Sequence, residues 1–197
     1  MSSLCYALLY GNFKRFTYTF FDSPQSWRTW LQENYQQVNG VWLKLAKKSS
    51  DKSSVSYSQA LEEALCYGWI DGQKQTYDNE YWLQKFSPRG QKSTWSKINV
   101  TKAEMLIKSG KMRSSGIAVI DAAKQNGWWK ASYDSPSTSK VPADFQLALD
   151  NNPNAKQFFK TLNKANVYAF CWRIQTAKKP ETREARIEKF INMLNRG

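Results

Sequence analysis

Tyr67-Gly68-Trp69-Ile70-Asp71-Gly72-Gln73-Lys74 and, after a short gap, Phe86-Ser87-Pro88-Arg89-Gly90-Gln91-Lys92-Ser93-Thr94-Trp95-Ser96-Lys97-Ile98-Asn99 mix aromatics, glycines and cations without a helical or strand period. A stretch with so many polar groups cannot be core alone. Trp69 and Trp95 between Lys74, Arg89, Lys92 and Lys97 suit stacking on bases or sugars with cations on phosphates. Pro88 stiffens the loop that carries Arg89, which helps it grip an anion with two parallel bonds, and Asp71 is placed to orient it. The same residues also suit packing of a sheet on helices, with Asp71 pairing Arg89 internally. A second cationic stretch runs from Arg173 to Arg186. There Pro180 starts a helix whose first amides can meet an anion, with Thr182 and Arg183 in the first turn and Arg186 one turn on. Its other reading is a solvated face with locally paired charges.

The composition closes off much other chemistry. There is no histidine, so Ser-His-Asp and Cys-His machines, imidazole relays and His-containing zinc or haem sites are ruled out. Cys5, Cys66 and Cys171 are scattered and form no Cys-x-x-Cys pair. Cys66 and Cys171 read as buried free thiols, and an odd count of this kind suits a reducing compartment. Glu62, Glu63, Asp71 and Asp121 are the carboxylates nearest this sequence. Glu62 and Glu63 read as solvated on the outer face of a helix. Gly68-x-x-x-Gly72 lacks the Gly-Lys-Ser/Thr of a phosphate loop. The expectation is no catalytic residue, no metal and no cofactor.

Lys and Arg number 29 against 16 Asp and Glu, a net charge of +13. A field of that sign favours an acidic protein face, nucleic acid or lipid head groups as partner. The apolar run Leu4 to Tyr10 has no basic residue before it and no small-residue cleavage site after it. It is too short to span a bilayer, and the chain reads as cytoplasmic.

The elements that must hold these residues can be read along the chain. Residues 1–21 read as an extension ending in an extended stretch from Phe16. Ser23-Pro24 opens a helix stopped by Gly40, and Val41 to Ala46 alternates as a strand. Ser56 and Gln59 form a capping box, Gly68 ends that helix, and strands follow near Trp69–Gly72 and Tyr81–Phe86. Asn99, Ser114 or Ser115, Asp144, Asn152-Pro153 and Pro180 mark further helix starts, with another helix around Val167–Ile174. The fold class is α+β, mostly helical, with a small antiparallel sheet in the N-terminal half and a helical C-terminal half. Ser135 to Pro142 reads as the boundary, which divides the chain into 1–21, 22–134 and 141–196.

Several of these segments resemble the YdeI/OmpD-associated family. They are Trp42 to Lys48, Ala60 to Gly72, Ser87-Pro88-Arg89, Trp95 to Asn99 and Gln175 to Arg183, and Val141 to Leu194 resembles the helical bacteriocin-protection module. The likeness covers about Phe20 to Arg196. It implies a role in bacteriocin or antimicrobial-peptide resistance or stress response, an envelope partner and a periplasmic setting, and it brings no catalytic residues. A chain at +13 repels a cationic peptide at long range, so protection has to be indirect or rest on contact with an anionic surface. The leading expectation is a non-enzymatic binding protein. A nucleic-acid-binding module and an enzyme acting on an anionic small molecule stand beside it.

Overall fold

The structure is a computed structural model that describes residues 10–13 and 16–197. Cys5, the apolar run from Leu4 and most of the expected extension lie outside the described residues. Two compact units divide the chain. One comprises the described residues up to Gln91 with Lys102–Asp121, and the other comprises Lys92–Thr101 with Ala122–Gly197.

The first unit is built on a sheet. Its strands are β1 (Tyr10–Phe13), β2 (Phe16–Phe20), β3 (Val41–Ala46), β4 (Trp69–Thr76) and β5 (Tyr81–Pro88), in the spatial order β1-β2-β3-β5-β4. The pairing is antiparallel except between β2 and β3, which run parallel with Tyr18 opposite Trp42 and Phe20 opposite Lys44. A parallel pair needs a crossover, and the helix α1 (Pro24–Asn34) supplies it. The sheet is therefore mixed at that one seam and antiparallel elsewhere.

Helices α1 and α2 (Tyr57–Cys66) start where the sequence places them. Ser23 accepts from the Ser26 amide, Ser56 accepts from the Gln59 amide, and both form complete capping boxes. Trp27, Trp30 and Leu31 on α1 and Ala60, Leu61, Ala64 and Leu65 on α2 are buried. Trp27 lies 5.0 Å from Phe21, 5.8 Å from Phe86 and 6.4 Å from Trp69 between ring centroids, and its indole N–H donates to the Ala60 carbonyl at 3.0 Å. This aromatic cluster joins helix to sheet and buries large apolar area without stranding a donor.

Two glycines permit the close approach of helix α4 (Ser114–Gln125). A Cβ on Gly116 would sit 2.4 Å from the Cys66 carbonyl oxygen. Gly68 has φ +78°, the left-handed region that favours glycine, and a Cβ there would meet a Val119 methyl at 2.8 Å. The Arg113 amide also donates to the Cys66 carbonyl at 3.1 Å. The end of α2 and the start of α4 are thus locked backbone to backbone.

In the second unit, helices α5 (Ala143–Asp150), α6 (Pro153–Thr161), α7 (Lys164–Gln175) and α8 (Pro180–Leu194) enclose Phe145, Leu149, Ala155, Ile174, Phe190, Ile191 and Leu194. Phe170 meets Phe190 edge-on at 4.8 Å, and Phe145 meets Phe159 at 5.5 Å. The start of helix α3 (Lys97–Lys108) belongs to this unit. Ser96 bridges Tyr133, the Tyr133 amide donates to the Trp95 carbonyl at 3.0 Å, and Ser96 rather than Asn99 caps the helix by accepting from the Asn99 amide. Trp128 to Asp134 therefore forms part of the helical unit. No helix among the described residues is long and apolar enough to cross a membrane.

Candidate functional site

The nominated residues fall in both units. Trp69, Asp71, Lys74 and Arg89 lie in the sheet-bearing unit. Lys92, Trp95, Lys97, Arg173, Thr182, Arg183 and Arg186 lie in the helical unit.

Trp69 starts β4 and is 1% exposed, and its indole N–H donates to the Tyr35 carbonyl at 3.1 Å. Trp95 is 3% exposed and packs at 4.8 Å on Trp129. Neither indole is available to stack on a ligand, so the stacking role read from the sequence is corrected to a packing role. The aromatic–cation alternation that looked like a ligand face arises because strand and turn residues of a small unit must also close its core. Arg89 is also buried, at 9% exposure, with its amide donating to the Gly68 carbonyl at 3.0 Å. Asp71 accepts from the Tyr57 hydroxyl at 2.8 Å. Burial first, and then this hydrogen bond to Asp71, push the Tyr57 phenol well above the ordinary tyrosine range.

The register of β4 slips between Asp71 and Lys74, a bulge. The buried Gln84 amide donates to the loosened Gly72 and Gln73 carbonyls at 3.0 and 3.2 Å. Lys74 is exposed, and its ammonium lies 4.5 Å over the Trp82 ring. Lys92 is exposed. Lys97 projects into solvent and pairs with Asp134 at 2.8 Å. Asp134 is a hub that the sequence did not disclose. Its carboxylate also accepts from Gln175 at 2.9 Å, and its carbonyl accepts from the Tyr168 hydroxyl at 3.0 Å.

The second cationic stretch works differently from the anion site expected of it. The Arg183 guanidinium holds Asp144 on α5 with bonds of 2.6 and 2.9 Å and donates to the Ile174 carbonyl at 2.9 Å. Arg186 donates to the Arg173 carbonyl. Both arginines thus satisfy carbonyls at the C-terminal end of α7, where positive charge also complements the helix dipole. Arg173 and Thr182 remain exposed.

The hydrogen bonds from Arg183 hold the Asp144 carboxyl below its ordinary range, with burial opposing them. A depressed carboxyl pKa contributes stability that is complete above the unfolded value of about 4 and is lost as pH falls through the folded value. Arg183→Ala is expected to weaken the helical unit by roughly 1 kcal/mol, the exposure of the pair keeping the effect small. In acid titrations followed by near-ultraviolet circular dichroism, the stability gap between the parent and Asp144→Asn should shrink below about pH 4. A gap that stays constant would exclude this role for the pair.

Other polar contacts were not read from the sequence. Glu63 is 8% exposed and is held by Arg28 through a two-bond pair, with Nε to Oε2 at 2.6 Å. This corrects its reading as a solvated carboxylate. Glu62 pairs with Lys102 at 2.9 Å. The ammonium of Lys44 lies 4.1 Å from the Tyr81 ring centroid and 4.5 Å from that of Tyr77. Each of these contacts joins residues distant in sequence, which leaves no local signature.

Cys66 and Cys171 are buried free thiols. Burial pushes Cys66 up to about 11 and raises Cys171 as well. Neither should react with iodoacetamide at pH 8 in the folded protein, and both should label after unfolding. Labelling of Cys66 at the rate of a free thiol in the native state would overturn that expectation.

Residues 19–119 match the family model described as a domain of unknown function (DUF8412). Residues 138–197 match the model described as bacteriocin-protection, YdeI or OmpD-associated. No curated protein and no solved structure matches the chain.

Proposed function

We propose that this chain, which belongs to the DUF8412 family through more than half of its length and ends in a YdeI/OmpD-associated module, is a non-enzymatic protein that holds an anionic surface. Its charge balance carries this reading. With 29 cations and 16 carboxylates, thirteen cations remain even if every carboxylate is paired within the chain. Several carboxylates are already engaged, among them Glu62, Glu63, Asp134, Asp144 and Asp150. The excess gives the chain a net positive field that attracts polyanions.

Burial of Trp69 and Trp95 turns the reading from base stacking towards charge contact. Lys74, Lys92, Lys97 and Arg173 are the nominated cations that stay exposed; Lys97 is engaged by Asp134, and the other three are assigned here as contact groups. Protection against a cationic peptide then works by occupancy. The protein covers anionic lipid or acidic protein that the peptide would otherwise reach.

The test is sedimentation of the full chain with phosphatidylcholine vesicles with and without phosphatidylglycerol, at low and physiological salt. Binding should require the anionic lipid, fall steeply with salt, and weaken in the Lys74→Ala, Lys92→Ala, Arg173→Ala triple variant. Lack of binding to the anionic vesicles at low salt would refute the reading. Binding of duplex or single-stranded oligonucleotides in preference to the vesicles would replace it with a nucleic-acid module.

A further inference from the structure

At the start of α4 the sheet-bearing unit holds a small polar cavity of about 210 Å³, lined by Gln32, Tyr35, Tyr67, Arg113, Ser114 and Ser115. It lies below the roughly 300–1,000 Å³ of sites for drug-sized ligands. Its walls present a guanidinium, two serines, two phenols and an amide, and no carboxylate.

Three observations converge on it. First, α4 begins here. The Arg113 carbonyl accepts from the Ile117 amide at 3.0 Å, so Arg113 is the capping residue and Ser114 and Ser115 form the first turn of a 12-residue helix. Amides of a first turn have no acceptor within the helix and carry the positive end of its dipole. Second, Arg113 is exposed and adds a full positive charge at the same point. Third, Tyr67 is only 5% exposed, and its hydroxyl is buried without a hydrogen-bond partner. An unpartnered buried hydroxyl is costly, and an incoming acceptor oxygen relieves that cost. The Tyr67 ring is held beside Tyr35 at 5.6 Å, and the Gly116–Cys66 contact fixes the start of α4 against the end of α2.

We propose that this cavity binds a small oxyanion of the phosphate class, free or as the head of a small phosphomonoester. The first-turn amides and Arg113 supply charge-assisted donors, Ser114 and Ser115 supply hydroxyls, and the Tyr67 hydroxyl donates to the innermost oxygen. The site is separate from the exposed cations assigned to the anionic surface. It depends on a built cavity, while the surface reading depends on the net field.

The test is a titration of the ¹⁵N-labelled full chain with inorganic phosphate, glycerol phosphate and sulfate at constant ionic strength. The Ser114, Ser115 and Gly116 amide signals should shift and saturate. Arg113→Ala should weaken phosphate binding by about tenfold or more, as loss of a charge-assisted bond requires. Tyr67→Phe should weaken it too, while the phosphate-free protein melts no lower than the parent because the unpartnered hydroxyl is gone. A preference for glycerol phosphate over phosphate identifies an organic ester, and the reverse identifies the free ion. Shifts that never saturate and spread over surface lysines would overturn the proposal, as would saturation unchanged in Arg113→Ala. The Lys74, Lys92, Arg173 triple variant should bind phosphate like the parent, so failure of the surface reading and failure of this one are told apart.

Discussion

Gly116→Ala is expected to destabilise the sheet-bearing unit by about 3 kcal/mol, the upper part of the range for overpacking a tight contact. The added methyl would lie 2.4 Å from the Cys66 carbonyl oxygen and close to the Met112 sulfur. Met112 can swing aside. The carbonyl belongs to the last residue of α2 and cannot move without disturbing the hydrogen bond it accepts from the Arg113 amide. Alanine has the higher helix propensity, so the substitution would help an isolated α4. The sign of the effect is therefore set by packing alone.

Gly110→Ala makes the comparison. Gly110 has φ +71° and no heavy atom within 4 Å of an added Cβ, so it should cost only the backbone strain of about 1 kcal/mol. Urea unfolding followed by tryptophan fluorescence measures both. A Gly116→Ala protein within 0.5 kcal/mol of the parent would show that the two helix ends are not in this contact. The same variant bears on the phosphate cavity, since moving the first turn of α4 moves Arg113 and both serines with it.

Element starts were legible in the sequence because capping chemistry is local. Ser23-Pro24, Ser56 with Gln59, Asn152-Pro153 and Pro180 each announce a helix within four residues, and each helix is found there. The α+β class and the small N-terminal sheet followed from the same local signals. The parallel β2–β3 seam did not, because alternation in Val41–Ala46 fixes a strand but not the direction of its neighbour. The candidate site was the least legible part. Trp69 and Trp95 carry the same local signals as ligand-stacking residues, and only three-dimensional packing shows that Tyr35 and Trp129 already occupy them. The reverse holds for Tyr67 and Arg113. Each looks ordinary in its own segment, and the cavity exists only because Gly68 and Gly116 let α4 approach α2. Asp134 was missed and Glu63 was read as solvated for a similar reason. Their partners are 41 and 35 residues away, beyond any periodicity.

Arg28→Ala should cost the same unit about 3 kcal/mol, because it leaves the Glu63 carboxylate in a poorly hydrated place without its partner. The Glu63 side chain is 10% exposed and that of Arg28 is 30% exposed, so water can replace the guanidinium only in part. The penalty belongs to the orphaned charge and not to the pair. The double variant Arg28→Met, Glu63→Leu removes both charges and should therefore recover most of the loss, as apolar replacements of buried ion pairs do. Urea unfolding followed by tryptophan fluorescence measures both variants and separates this cause from lost packing. If the double variant is as unstable as Arg28→Ala, the deficit arises from the lost arginine stem and not from the stranded carboxylate.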